Sequence, residues 1–243
     1  MKPRAVANAA WTSGFTAAMC GYGIANQLVR KNPALFRRHT RIWARGVAAG
    51  IGLDVQAYGT WRLDPHGTYV LMANHQSHVD IVALFNALPM VPGFLAKAEL
   101  RRVPLFGLAM EVGGHVFVDR ARHEAAREAL AVAAEEVRRG DSLVVFPEGT
   151  RSSRREILPF KKGGFHLARA AGVPVVPVGI RGTADILPKH SGQLLPGRCE
   201  VHVGEPIAPD RVRSLPLDAL MDEVRAAIGE LSGLPLAADR SGA

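Results

Sequence analysis

The sequence predicts an α/β domain: a mixed, largely parallel central sheet of about seven strands flanked by helices, with an N-terminal two-helix appendage. Three observations carry that expectation. Short β-branched runs alternate with helical segments, and several of the runs are apolar throughout, as strands covered on both faces are. The first 53 residues also differ in charge from everything that follows. With 243 residues, 48% hydrophobic and 21% charged, the chain is long enough to bury a sizeable core as one domain. Its apolar fraction excludes intrinsic disorder, and the lack of an internal period excludes repeat architectures. A polytopic membrane protein is excluded because only one segment is long and uncharged enough to be considered.

That segment opens the chain. Residues 1–53 contain Lys2, Arg4, Arg30, Lys31, Arg37, Arg38, Arg41 and Arg45 and no acid. The formal charge of +8 therefore lies entirely here, since the remaining 22 bases are matched by 22 acids. Such asymmetry asks for an anionic partner, either a membrane leaflet or nucleic acid. No helix-turn-helix, zinc-finger or RNA-binding pattern accompanies the bases, so nucleic acid is not expected. Between Arg4 and Arg30 run 25 uncharged residues, roughly 37 Å as a helix against a hydrocarbon core of roughly 30 Å. Ala and Gly fill much of the run, and Asn8, Thr12, Ser13, Asn26 and Gln27 interrupt it, which is weak for a membrane span. A cleaved signal peptide fits poorly for the same reason. The next stretch sets Leu35, Phe36, Ile42, Trp43 and Val47 among bases, the composition of a helix lying in a bilayer interface. Two readings stay open at this point: the helices lie on an anionic cytoplasmic leaflet, or they pack on the protein's own core with the bases solvated.

After residue 53, candidate strands are 53–58, 68–74, 93–98, 115–119, 142–146, 174–180 and 199–204, with helices over 78–88, 121–139 and 163–171. The expected division is 1–52 for membrane-associating helices, 53–231 for the α/β domain and 232–243 for a flexible tail. Cys20 and Cys199 are far apart and imply no disulfide framework, which suits a reducing compartment. No Cys/His cluster has metal-site spacing, and His75 with His78 lacks a third ligand, so neither a metal nor a cofactor is expected.

Three clusters fall at strand ends, where open sheets of this class bind ligands. In Asn74-His75-Gln76-Ser77-His78-Val79-Asp80, a turn at His75 followed by a helix starting near Ser77 lets Asp80 reach back to the imidazole. A carboxylate on one ring nitrogen leaves the other as a base. The plainer alternative is that Asp80 only caps a helix. In Phe146-Pro147-Glu148-Gly149-Thr150-Arg151-Ser152, Pro147 stops the strand, Gly149 permits a tight turn and Arg151 offers a planar fork for a phosphate or carboxylate; an ordinary exposed Arg is the alternative. Lys97 and Arg120 bring further positive charge to the same edge, with Glu99 and Asp119 as their obvious ion-pair partners. No Gly-x-Ser-x-Gly elbow, P-loop or dinucleotide fingerprint is present, so a covalent acyl-enzyme has no candidate nucleophile.

In order, the blocks NHQSHVD (74–80), KAELRRVPLFG (97–107), FVDR (117–120), FPEGTRS (146–152), PFKKGGFHLA (159–168) and VPVVPV (173–178) resemble the glycerophospholipid acyltransferases, most closely the bacterial 1-acylglycerol-3-phosphate acyltransferases. The resemblance covers roughly residues 70–180. It implies acyl transfer from acyl-CoA or acyl-carrier protein to the sn-2 hydroxyl of a lysophospholipid acceptor, 1-acylglycerol 3-phosphate, forming phosphatidate at a membrane surface. It implies His75 as general base and Asp80 as its orienter. The acceptor would be held by Glu148, Gly149, Thr150 and Arg151, with Lys97 and Arg120 assisting and Asn74 ordering the turn. Since a carboxylate does not attract a phosphate, Glu148 is expected to bind a glycerol hydroxyl or to orient Arg151. Related enzymes acting on other lysolipids, such as lyso-ornithine lipid, share these blocks. A non-catalytic peripheral lipid-binding protein is the alternative from another class, although it would not need His75 and Asp80.

Overall fold

The computed structural model describes residues 3–30, 33–119 and 121–238. Two helices, α1 (Pro3–Arg30) and α2 (Pro33–Ile51), open the chain and pack on each other. Glycines on α2 make the close approach possible. The Phe15 ring occupies the place where a Cβ on Gly46 would sit, and the Trp11 indole does the same at Gly50. Trp43 Nε1 donates to Thr16 Oγ1 at 2.9 Å, and Asn8 Nδ2 donates to the Leu194 carbonyl at 3.1 Å, tying α1 to the far end of the sequence. On its inner face α2 buries Ala44, Val47, Ala48 and Ile51 in the main core. Among the described residues, no helix is long and apolar enough to cross a membrane.

The remainder runs β1 (Leu53–Tyr58), β2 (Val70–Ala73), α3 (Val79–Ala87), β3 (Gly93–Lys97), α4 (Phe106–Val112), β4 (Val116–Val118), α5 (His123–Arg138), β5 (Leu143–Val145), α6 (Gly163–Ala171), β6 (Val175–Arg181), α7 (Thr183–Ile186), β7 (Gly197–Val203), α8 (Pro209–Ser214) and α9 (Leu217–Ser232). Seven strands form one sheet in the order β1-β7-β6-β2-β5-β3-β4. Every pairing is parallel except β6 with β7. The predicted class and all seven predicted strands are present.

Side-chain alternation divides the sheet between two cores. Leu71 and Ala73 of β2 face the layer containing α2 and α3, whereas Val70 and Met72 face the layer of α5, α6 and α9. Burial on both faces is why the central strands read as unbroken apolar runs. Because β2, β5 and β3 are adjacent and parallel, their carboxyl ends emerge side by side, and these ends carry His75, the Phe146–Arg151 turn and Lys97.

The chain end differs from expectation. Residues 233–238 are docked rather than loose: Leu236 bridges Ile157, Ala237 N donates to the Ile157 carbonyl at 2.9 Å, and the Arg225 guanidinium donates to the Ala237 carbonyl. The short apolar pair Leu234 and Leu236 gave too little periodicity to announce this. Residues 239–243 lie outside those described.

At the centre of β6, Gly179 faces α9 with no room for a side chain. A Cβ there would lie 2.3 Å from the Leu231 carbonyl carbon and 2.5 Å from Ser232 N. Gly179→Ala is expected to destabilise the fold by about 1–3 kcal/mol through overpacking, read as a lower urea midpoint.

Candidate active site

His75 follows β2 directly and Asp80 sits in the first turn of α3. The turn between them is built by their own hydrogen bonds. His75 Nδ1 and Asp80 Oδ2 are 2.7 Å apart. The same oxygen accepts from the backbone N–H of Gln76 at 2.8 Å and of Ser77 at 2.9 Å. Thr183 donates its hydroxyl to the other oxygen, Oδ1, at 2.5 Å. Asp80 is fully buried, so each of these donors replaces water that the carboxylate has lost. With Nδ1–H committed to a carboxylate, Nε2 is left as the basic nitrogen.

The helix begins one residue later than the Ser77 cap suggested. α3 starts at Val79, with Ser77 Oγ accepting from Val79 N at 3.3 Å and donating to the Leu187 carbonyl at 2.8 Å. Asp80 works in the reverse direction, reaching back to the turn as well as to the ring. Asn74 lies at the end of β2. Its side-chain amide accepts from Ile180 N at 2.7 Å and donates to the Ile180 carbonyl at 2.9 Å, extending the β2–β6 ladder by one rung.

The second loop leaves β5 as a turn with Pro147 at its first corner, closed by Gly149 N donating to the Phe146 carbonyl at 3.0 Å. Gly149 adopts φ +74°, which favours glycine. Phe146 stacks on the His75 ring, with centroids 4.0 Å apart and planes 15° from parallel. Ser152 N donates to the His75 carbonyl at 2.9 Å, so the two loops are stitched together.

Glu148 does something other than expected. Its buried carboxylate accepts from His75 N at 2.8 Å and from Leu158 N at 3.0 Å, and it forms no ion pair with Arg151 among the described residues. It acts on the His75 backbone. The sequence could not reveal this, because the partner groups are main-chain amides 73 and 10 residues away. Burial pushes the Glu148 carboxyl up to about 7, with Asp80 adding to the rise and the two backbone donors and Arg225 opposing it.

Arg151 is half-buried and enters no salt bridge among the described residues. Beside it, the His78 imidazole is held below its ordinary value by burial and then by the Arg151 and His75 charges. Lys97 lines the same cavity but is exposed and paired with Glu99 at 2.9 Å, as its neighbours in sequence suggested. Asp119 pairs with Arg122; Arg120 lies outside the described residues.

His75, His78, Lys97, Gly149, Thr150 and Arg151 share the mouth of a cavity of about 390 Å³. The rest of its wall is largely apolar: Phe94 from β3, Phe146 after β5, Phe85 from α3, Met19 and Gly23 from α1, Phe36 and Trp43 from α2, and Phe106 and Met110 from α4. The α1 and α2 contribution was not foreseen, because no motif marks those residues. Thr183 was also missed, since a lone threonine after β6 carries no local signal. His115 also lines the cavity; its Nδ1 accepts from Phe94 N at 3.0 Å, and burial lowers this imidazole to about 4, keeping it neutral.

The site thus joins an imidazole–carboxylate pair at the carboxyl ends of parallel strands to a largely apolar cavity and a guanidinium. Residues 54–181 match the acyltransferase family model, and the chain belongs to that family, within the glycerophospholipid acyltransferase superfamily. It is 37% identical over 177 residues to 1-acyl-sn-glycerol-3-phosphate acyltransferase alpha of Ovis aries, covering 72% of this chain and 61% of that protein. It is 35% identical over 178 residues to 1-acyl-sn-glycerol-3-phosphate acyltransferase of Saccharomyces cerevisiae, covering 72% of this chain and 58% of that one. The chain thus spans less than two thirds of these relatives. The crystal structure of the 1-acyl-sn-glycerophosphate acyltransferase PlsC from Thermotoga maritima superposes with a TM-score of 0.82 over 96% of both chains at 25% identity.

Glu148→Gln tests the link between the loops. The folded protein retains a proton on Glu148 that the unfolded chain has already lost between about pH 4.5 and 7. The Glu148 contribution to stability therefore declines as pH rises through that window. Glutamine cannot titrate and can satisfy only one of the two backbone donors. The variant should lose this pH slope and be about 1–3 kcal/mol less stable in chemical denaturation at the low end of the window.

Proposed function

We propose that this protein transfers a fatty acyl group from acyl-CoA or acyl-carrier protein to the sn-2 hydroxyl of 1-acylglycerol 3-phosphate, forming phosphatidate. The observation that carries the reading is the His75–Asp80 pair at the mouth of the apolar cavity, with Arg151 beside it. The printed names of the relatives support the choice of acceptor.

A thioester is already activated, so no enzyme nucleophile is needed; an alcohol, by contrast, must lose its proton as it attacks. Nε2 of His75 takes that proton while the acceptor oxygen bonds to the thioester carbonyl carbon. The tetrahedral intermediate then collapses, breaking the carbon–sulfur bond, and the thiolate recovers the proton from the imidazolium. The products are an ester and a free thiol, and His75 returns to its starting form. Asp80 fixes the tautomer and stabilises the imidazolium formed in between. Arg151 holds the acceptor phosphate with its planar fork, assisted by the Lys97 charge. Gly149 and Thr150 shape the loop, and Arg120, two residues after β4 in sequence, adds its charge to the grip on the phosphate. Asn74 and Glu148 keep the His75 backbone in place.

The apolar cavity suits the acyl chain, and its α1 and α2 walls give the N-terminal helices a purpose beyond attachment. A lipid acceptor places the site at a bilayer, and the basic, acid-free stretch up to Leu53 favours the anionic cytoplasmic leaflet. The helices lie on that surface rather than through it.

Thiol release from purified protein, with acyl-CoA and acyl-carrier-protein donors crossed against several lysolipids, tests the reading directly. His75→Ala should lower turnover by about 10²–10⁴-fold with unchanged circular dichroism; near-normal turnover would remove the mechanism. Arg151→Ala should raise KM for 1-acylglycerol 3-phosphate by about tenfold or more, since charge-assisted hydrogen bonds exceed neutral ones. A change confined to the donor KM would reassign Arg151.

A further inference from the structure

The turn before α4 carries a strained, outward-pointing leucine. Leu105 has φ +60° and ψ −47°, and Phe106 N donates to the Pro104 carbonyl at 2.6 Å. This is a γ-turn of the rare positive-φ kind, centred on a residue with a branched side chain. Such geometry persists only where its surroundings enforce it, and it concentrates at functional segments. Here the enforcement is visible: Gly107 N donates to the Val103 carbonyl at 2.8 Å, and Gly107 packs directly on the Arg101 backbone. The strain produces an exposed apolar group. Val103, Leu105 and Leu108 are 44%, 51% and 49% exposed, the first two in the turn and the third in the first turn of α4.

α4 packs against α1, and both helices turn their other face into the cavity, α4 through Phe106, Ala109 and Met110 and α1 through Thr16, Met19, Cys20 and Gly23. α1 is uncharged from Ala5 to Val29, and its partly exposed large apolar residues include Val6, Leu28 and Val29, with Trp11 and Tyr22 toward α2. Lys97 and Arg101 are neutralised by Glu99 and Glu111, whereas Arg102 enters no ion pair among the described residues. Arg38 and Arg45 on α2 are likewise exposed. An apolar surface edged by cations matches an anionic bilayer better than nucleic acid.

Building on the membrane-borne acceptor, we propose that the Val103–Leu108 turn is a second membrane-inserting element, separate from the N-terminal helices. It seats the α4 wall of the cavity in the lipid from which the acceptor comes. None of Val103, Leu105 and Leu108 lines the cavity, so their loss leaves the reacting groups intact.

The experiment is sedimentation with vesicles of phosphatidylcholine and phosphatidylglycerol, paired with thiol release using acceptor dispersed in detergent micelles. The double variant Leu105→Asp/Leu108→Asp is expected to partition at least tenfold more weakly, with micellar activity within twofold of wild type. Val132→Asp, at an exposed valine on α5, should bind vesicles as wild type does. Leu105→Gly guards against misfolding: glycine relaxes the positive φ while removing the side chain, so a better-folded protein should still bind more weakly. Equal partitioning of wild type and the double variant overturns the proposal. So does a change in oligomeric state with vesicle binding unaltered, which would make the turn a protein interface. Wild type that fails to sediment removes both this turn and the helices as membrane contacts. Wild type that sediments but releases no thiol in micelles removes the acyl-transfer reading while leaving the turn in place.

Discussion

A single buried carboxylate organises the site. Fully buried, Asp80 accepts hydrogen bonds from an imidazole, two backbone amides and a threonine hydroxyl. An unpaired ion there would be prohibitively costly, so the structure around it is shaped to supply donors. Meeting that demand bends the chain between β2 and α3 and draws Thr183 in from the end of β6. It also holds the His75 ring in one orientation. Glu148 supplies a second buried carboxylate, bound to the same loop from the opposite side through His75 N. Both carboxylates grip the short His75–Ser77 segment, and their common effect is to fix where Nε2 points.

The sheet order explains why such distant residues meet. Parallel crossovers bring strands far apart in sequence into adjacency, and every parallel strand delivers its following loop to the same edge. His75 follows β2 and Arg151 follows β5; two strands and three helices separate these strands in sequence, yet they are neighbours in the sheet. The apolar cavity comes from a different source: α1, α2 and α4 stand beyond that edge and enclose the volume that the sheet alone would leave open.

Much of this was legible in the sequence because the signals were local. Strands buried on both faces read as apolar runs, Pro147 and Gly149 punctuate a turn, and His75 and Asp80 lie within one strand–helix junction. What escaped was non-local or carried by the backbone. Glu148 bonds main-chain amides, which any residue type provides, so its identity suggested a ligand role instead of a structural one. Thr183 meets Asp80 across 103 positions. The docking of Leu236 on Ile157 is a single bridge that leaves no period to detect. The cavity walls on α1 were hidden because small residues such as Gly23 matter there for the space they leave.

The tie between Asn8 and the Leu194 carbonyl bears on how the molecule is made. One anchoring partner of the first helix is synthesised 186 residues after Asn8 itself. Contacts of such long range form late, since the intervening chain must first be closed into place. Until that stretch is made, the uncharged flank of this helix lacks the partner that fixes it to the domain. Its docking therefore closes the fold rather than starting it.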